Sequence, residues 1–105
     1  MQGRIEYKGY DLKMNHLTVR IYNKNFNRDF MMYTLNLSDH PEKMFEDFIN
    51  FMKDFADVRK IDKEKITSFF RVLKEKIDKL EKIKDPVEFI EKKQEMARLP
   101  RSTEF

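Results

Sequence analysis

The sequence predicts an α+β fold: an N-terminal three-stranded antiparallel β-meander, followed by two main helices and a short third C-terminal helix. Apolar residues recur at every second position up to residue 37 and follow a helical period from about residue 41 onward. Asp and Pro residues then divide the helical part into separate segments. A chain of 105 residues fits one domain of this class.

Three runs of alternating apolar and polar residues predict the strands of the meander. Ile5 and Tyr7 begin the first run, and the alternation changes parity at Gly9, which indicates a bulge or a tight turn. The apolar positions of the next two runs are Leu17, Val19 and Ile21, then Met31, Tyr33, Leu35 and Leu37. The connections between the runs are too short for a parallel crossover, so we expect antiparallel neighbours.

The first helix is predicted to begin after Ser38 or Asp39, and Glu42 completes a capping box if Asp39 is the cap. Its apolar residues cover about half of the circumference, which predicts contacts with the sheet and with a second helix. The second helix is predicted to begin near Asp62, and a seam of apolar residues follows it: Ile66, Phe70, Leu73, Ile77 and Leu80. The residues expected to join the two helices are Phe48, Phe55, Phe70, Leu73 and Ile77.

The third helix has a clear start and a weaker apolar pattern. Asp85 is the predicted cap, Pro86 takes the first helical position, and Glu88 completes a capping box. Leu99 and Pro100 are predicted to end this helix. We therefore expect one compact domain over residues 1–100 and a frayed tail over residues 101–105.

The composition argues against most enzyme classes. The absence of cysteine excludes disulfides, thiolate zinc sites and a cysteine nucleophile. Gly3 and Gly9 are the two glycines, too few for a phosphate-binding loop. His16 and His40 lack the spacing of metal ligands. We therefore expect a protein that is not an enzyme and that needs no metal and no cofactor.

Hydropathy and charge limit the classes of partner that we expect for this chain. No uncharged apolar stretch approaches the roughly 20 residues of a membrane helix, and residues 1–11 lack the apolar core of a signal peptide. We expect a cytoplasmic protein with no membrane partner. Residues 38–57 carry six acidic and two basic side chains, whereas the segments on both sides are basic. This acidic helix surface is one candidate partner surface.

The leading hypothesis is a small non-catalytic interaction protein that binds another protein. Residues 23–29 place Phe26 between asparagines at a predicted hairpin tip. Lys24 and Arg28 flank this ring, and an aromatic side chain beside Arg is typical of interface hot spots. The alternative is that Phe26 folds back onto the end of the sheet. The acidic helix surface supplies the remaining candidates, Glu46, Asp47, Asp54 and Asp57.

Two further expectations concern the kind of protein and its assembly. The small size and the abundance of residues with AT-rich codons suggest a regulator or inhibitor from a phage or another mobile element. The spacing of the seam on the second helix also allows a homodimer through that helix.

The alternative function is a nucleic-acid-binding module that uses the exposed face of the sheet. If Leu17, Val19 and Ile21 face the core, Arg20 and Tyr22 point outward. Arg4 and Lys8 join them if the first strand pairs alongside. Basic and aromatic side chains interleaved on a sheet can contact phosphates and stack on bases. No recognised nucleic-acid-binding motif accompanies this pattern.

Overall fold

The computed structural model describes residues 1–97 and 101–105. The strands are β1 (Gly3–Asp11), β2 (His16–Asn23), β3 (Met31–Asn36) and β4 (Ser102–Glu104), and the helices are α1 (Pro41–Met52), α2 (Lys63–Glu81) and α3 (Pro86–Ala97). A short 3₁₀ helix, Val58–Lys60, lies between α1 and α2. This order confirms the predicted α+β fold. The predicted end of the third helix at Leu99 and Pro100 lies outside the described residues.

The four strands lie in the order β3-β2-β1-β4, and every neighbouring pair is antiparallel. Tyr7 pairs with Val19 and Gly9 pairs with Thr18, so Lys8 is an additional residue on β1. This is the bulge that the parity change at Gly9 indicates. Because of the additional residue, both halves of β1 keep their apolar side chains on the core side of the sheet.

The starts of α2 and α3 follow the sequence prediction. Asp62 caps α2 by accepting a hydrogen bond from the Lys65 amide at 3.2 Å. Asp85 accepts a hydrogen bond from the Val87 amide at 2.9 Å at the start of α3. Each carboxylate satisfies a backbone donor that has no partner within its helix.

The prediction for the start of α1 is wrong. His40 is the N-cap residue, and its side chain makes no capping hydrogen bond. Pro41 takes the first helical position, where its missing N–H removes no helical hydrogen bond. The Ser38 hydroxyl accepts a hydrogen bond from the β1–β2 turn, and the Asp39 carbonyl accepts one from Lys74 Nζ at 2.9 Å. Both residues therefore fix the connection between β3 and α1 instead of capping the helix.

The helices pack on one face of the sheet, and the core lies between the two layers. Phe48 of α1 meets Phe70 of α2 edge to face, with the ring centroids 6.3 Å apart. The predicted core is correct except for Phe55, which follows α1 and is only partly buried. Every residue of the predicted α2 seam is buried within the chain: Ile66, Phe70, Leu73, Ile77 and Leu80. The seam is therefore not available for the homodimer expected through the second helix.

The prediction of a frayed tail at residues 101–105 is wrong. Residues 102–104 form β4, which pairs with β1 at the edge of the sheet. The side chain of Phe105 is only 9% exposed, and its ring lies edge to face on Phe48 at a centroid distance of 5.3 Å. Burial of this ring offsets the entropy lost when a short edge strand becomes ordered. The fold therefore includes residues beyond the predicted boundary at residue 100.

Gly3 allows Phe105 to approach β1 closely. The Gly3 N–H donates to the Phe105 carbonyl, and the Phe105 N–H donates to the Gly3 carbonyl, each at 3.0 Å. A Cβ atom at Gly3 would lie 2.6 Å from Cζ of Phe105 and would also overlap the carbonyl oxygen of Tyr22. Only glycine fits here, because a Cβ atom would overlap both the backbone of Tyr22 and the Phe105 ring.

We expect Phe48→Ala to lower the free energy of unfolding by about 3–5 kcal/mol, because its ring is fully buried between Phe70 and Phe105. Urea titration followed by circular dichroism measures this loss. Glu46→Ala, on the exposed side of α1, is the control and should change stability by less than about 0.5 kcal/mol. A loss below about 1 kcal/mol for Phe48→Ala would mean that α1 buries a different side.

Phe105→Ala should destabilise the fold by about 3 kcal/mol, because truncation leaves a cavity against Phe48 and Gly3. Glu104→Ala lies on the same strand with its side chain exposed, so it should have little effect. Thermal and urea unfolding of the two variants give the comparison. Equally small effects of both substitutions would show that this segment does not dock on the core.

Candidate functional site

The outer face of the sheet, opposite the core, is covered by none of the helices that the structure describes. Side chains on this face alternate with core side chains along the strands, so Arg4, Arg20 and Tyr22 point outward. Arg4 lies opposite Tyr22, and Arg20 lies opposite Met32 of β3. Three adjacent strands therefore contribute to one surface, in the orientation that the alternation predicts.

Two contacts between an arginine and an aromatic ring occupy this face. The guanidinium carbon of Arg4 lies 4.3 Å from the ring centroid of Tyr22, and that of Arg20 lies 5.1 Å from the centroid of Phe30. The rings of Tyr22 and Phe30 have centroids 5.7 Å apart, which connects the two contacts. We call these four residues the outer-face cluster: Arg4, Arg20, Tyr22 and Phe30.

Glu6 lies between the two arginines of the outer-face cluster. Its carboxylate oxygens are 3.5 Å from Arg4 Nη2 and 3.6 Å from Arg20 Nη1. Partly exposed ion pairs of this kind contribute little to stability, but they orient the guanidinium groups and offset part of their charge. Nε of Arg20 is buried and has no hydrogen-bond partner within residues 1–97 and 101–105. One donor of the cluster is therefore unused.

A groove opens at the end of the sheet where β1 begins and β2 ends. Its volume is about 650 Å³. Arg4 and Tyr22 line it from the sheet, and Lys24 and Arg28 line it from the following loop, together with Asp29. The structure thus brings together residues that the sequence analysis assigned to two different functions.

Lys8 lies apart from the groove that Arg4, Lys24 and Arg28 line. It is the additional residue of the β1 bulge and lines a separate cavity of about 340 Å³ with Arg20 and Arg101. Lys8 therefore does not contribute to the groove at the start of β1.

Phe26 is not the exposed anchor that the hot-spot interpretation requires. Its side chain is 9% exposed, and its ring lies edge to face on Phe55 at 4.9 Å and on Phe51 at 6.5 Å between centroids. The side-chain amide of Asn25 donates a hydrogen bond to the Phe55 carbonyl and holds the loop against this region. The ring is therefore folded back, but its aromatic contacts are with residues at and just after the end of α1 and not with the end of the sheet. Only Lys24 and Arg28 of this group remain exposed.

Two of the acidic candidates, Glu46 and Asp47, belong to α1, and the other two, Asp54 and Asp57, follow it. Glu46 and Asp54 are exposed, whereas Asp47 forms an ion pair within α1 at 3.0 Å. Asp57 accepts a hydrogen bond from Arg59 Nε at 3.2 Å, which lowers the pKa of the Asp57 carboxyl. Because α1 packs on the core side of the sheet, Glu46 and Asp47 lie on a different surface from the outer-face cluster. Asp57 instead hydrogen-bonds through its backbone to the Gln2 side chain, just before β1.

Phe30 is a functional candidate that the sequence analysis did not single out. It is 36% exposed and completes the outer-face cluster from the segment just before β3. Met32, 49% exposed at an outward position of β3, extends the apolar surface beside it. The sequence did contain a signal for this surface. Phe30 and Met32 are large apolar residues at positions where the exposed face of a sheet normally carries polar side chains.

No known protein family matches the chain, and neither does a curated protein or a solved structure. Within the part of the chain that the structure describes, no three His, Cys, Asp or Glu side chains are grouped to hold a metal ion. None of the described helices combines the length and the apolar character needed to cross a bilayer. The functional argument therefore rests on the geometry of the surfaces described above.

Phe26→Ala should lower the free energy of unfolding by about 3 kcal/mol, because the ring is buried against Phe51 and Phe55. The double variant Lys24→Ala/Arg28→Ala should stay within about 0.5 kcal/mol of the original chain, because both side chains are exposed. Urea titration of both proteins measures the difference. A Phe26→Ala protein as stable as the double variant would contradict the buried position of the ring.

Proposed function

We propose that this chain is a non-catalytic interaction module that binds another protein through the outer-face cluster. The observation that carries the proposal is the continuous contact of two arginines with two aromatic rings on an uncovered sheet face. Tyr, Phe, Met and Arg are enriched at protein interfaces, and Tyr and Arg dominate their hot spots. The cluster side chains already hold one another in place, so binding immobilises fewer free rotamers.

The same contacts favour a protein over a nucleic acid as the partner of this face. Each ring has an arginine close to it, which reduces the ring surface available for stacking on a base. Glu6 offsets one of the two positive charges, whereas phosphate binding depends on the number of cations that neutralise phosphates. A partner surface with apolar side chains and a few carboxylate or carbonyl oxygens complements this arrangement best.

The groove at the start of β1 favours a second candidate function, the binding of single-stranded nucleic acid. Arg4, Lys24 and Arg28 line one open groove beside the ring of Tyr22. Several cations along a groove can contact successive phosphates of a single strand. This candidate uses residues 24 and 28, which the protein-binding proposal does not need.

Capture from a lysate of the source cells, followed by calorimetry with each purified captured protein, tests the leading proposal. The informative variant is Arg20→Ala/Phe30→Ala. Its matched control, Arg59→Ala/Val87→Ala, also removes one arginine and one exposed apolar side chain, from surfaces on other elements. We expect the first variant to raise Kd about thirtyfold, equivalent to about 2 kcal/mol, with an unchanged Tm. If it bound every captured protein as tightly as the control does, the proposal would be wrong.

Fluorescence anisotropy with a labelled single-stranded oligonucleotide, at low and moderate salt, tests the second candidate. Binding that weakens steeply with salt and disappears in Lys24→Ala/Arg28→Ala would identify the groove as a nucleic-acid site. Absence of binding at low salt, or binding that this variant retains, would exclude the groove from that role.

A further inference from the structure

The two edges of the sheet differ in length and composition. β4 has three residues, of sequence STE, so it is short and carries a charge. β3, at the opposite edge, has six residues of sequence MMYTLN, with no charged residue, no Pro and no Gly. Its register with β2 is uninterrupted from Met31 to Asn36, so no bulge turns this edge away.

An edge of this kind is normally protected, because its outward N–H and C=O groups are a template for pairing with another strand. The common protections are a very short strand, a Lys or Pro on the edge, a bulge, or a covering segment. β4 is short and charged, whereas β3 has neither of these protections, and β2 is its only described strand neighbour. α1 lies over the inner face of β3, where Phe51 stacks on Tyr33, and no described strand pairs with the edge of β3 that faces away from β2.

We propose that β3 pairs antiparallel with β3 of a second copy of this chain, so that two four-stranded sheets join into one. A two-fold axis through this edge makes the interface isologous, and two copies then close the assembly. The short, charged β4 lies at both outer edges of the joined sheet and does not favour addition of further strands.

The alternation of side chains along β3 is compatible with self-pairing in two registers. Residues directly opposite each other in an antiparallel pair point to the same face of the sheet. The two-fold axis must therefore lie between the two copies of one residue, which then face each other. An axis midway between two successive residues would place side chains from opposite faces side by side. With the axis at Tyr33, the two rings pair and Met32 faces Thr34. With the axis at Thr34, the two threonine side chains pair and Met32 faces Asn36. Aromatic pairs and threonine pairs are favourable across strands, and no like charges meet in either register.

The side chains above the inner face of β3 present no uncompensated charge from α1 residues 43 and 47. The ring of Phe51 stacks on Tyr33 at a centroid distance of 4.9 Å. Burial raises the pKa of Tyr33, the charge of Asp47 raises it further, and that of Lys43 lowers it. Lys43 and Asp47 pair at 3.0 Å within the helix, so their charges offset each other within one copy.

A second copy fits this edge better than an unrelated strand. Opposite charges are a principal means by which an interface selects a different partner, and β3 carries none. Self-pairing needs no such selection, because the same uncharged sequence supplies both strands. The inference goes beyond the proposed protein-binding function and does not depend on it.

Sedimentation equilibrium of the full chain, from micromolar to millimolar concentration, tests the proposal. We expect the mass to rise from 12.9 kDa toward twice that value. Met32→Lys/Thr34→Lys should keep the chain at 12.9 kDa, because both positions are exposed and both registers then place lysines directly opposite each other. The control is Val72→Lys/Val87→Lys, which adds the same charge at exposed positions on two helices. This variant should associate as the unsubstituted chain does.

Hydrogen exchange on the original chain provides a second measurement that requires no variant. Protection of the β3 amides should increase with protein concentration, whereas protection of the β4 amides should not. An original chain that remains at 12.9 kDa throughout, or an edge variant that associates like the control, would overturn the proposal. Either result leaves the outer-face proposal standing, because neither Arg20 nor Phe30 belongs to β3.

Discussion

The fold depends on one buried contact, in which the ring of Phe48 meets Phe70 on α2 and Phe105 after β4. These rings connect three parts of the chain that are far apart in sequence, so the helices and the edge strand become ordered together. Truncation of a buried aromatic residue typically costs about 3–5 kcal/mol, a large share of the stability of a small domain. Gly3 makes the arrangement sterically possible, because it lets the Phe105 ring lie against β1.

Because this core forms on one face of the sheet, the surfaces available for interaction are the opposite face and the β3 edge. α1 and α2 use their apolar residues against the inner face, which leaves the outer-face cluster uncovered and β3 with an open edge. The two surfaces adjoin, since Phe30 directly precedes β3 and Met32 lies opposite Arg20. Pairing of two copies through β3 would therefore place two outer-face clusters on one continuous sheet face, where a symmetric or repeated partner could contact both.

The sequence predicted the elements whose signals are local and periodic. Alternation located three strands and the bulge at Gly9, and it correctly oriented Arg20 and Tyr22 outward. β4 was missed because three residues cannot display a period, and the burial of Phe105 depends on partners distant in sequence. The polar neighbours of Phe26 likewise predicted a surface turn, whereas its ring is buried by contacts with the end of α1. The groove could not be predicted, because it forms only when the loop and the start of β1 come together.

A double-mutant cycle with Phe48→Leu and Phe105→Leu tests most directly whether β4 and Phe105 complete the core. Leucine keeps both positions apolar and removes the edge-to-face contact of the rings, so all four proteins of the cycle should fold. Urea titration of these proteins gives the coupling free energy between the two side chains. The contact at 5.3 Å predicts a coupling of about 0.5–1.5 kcal/mol. Additive effects, with a coupling indistinguishable from zero, would contradict the central role of this contact.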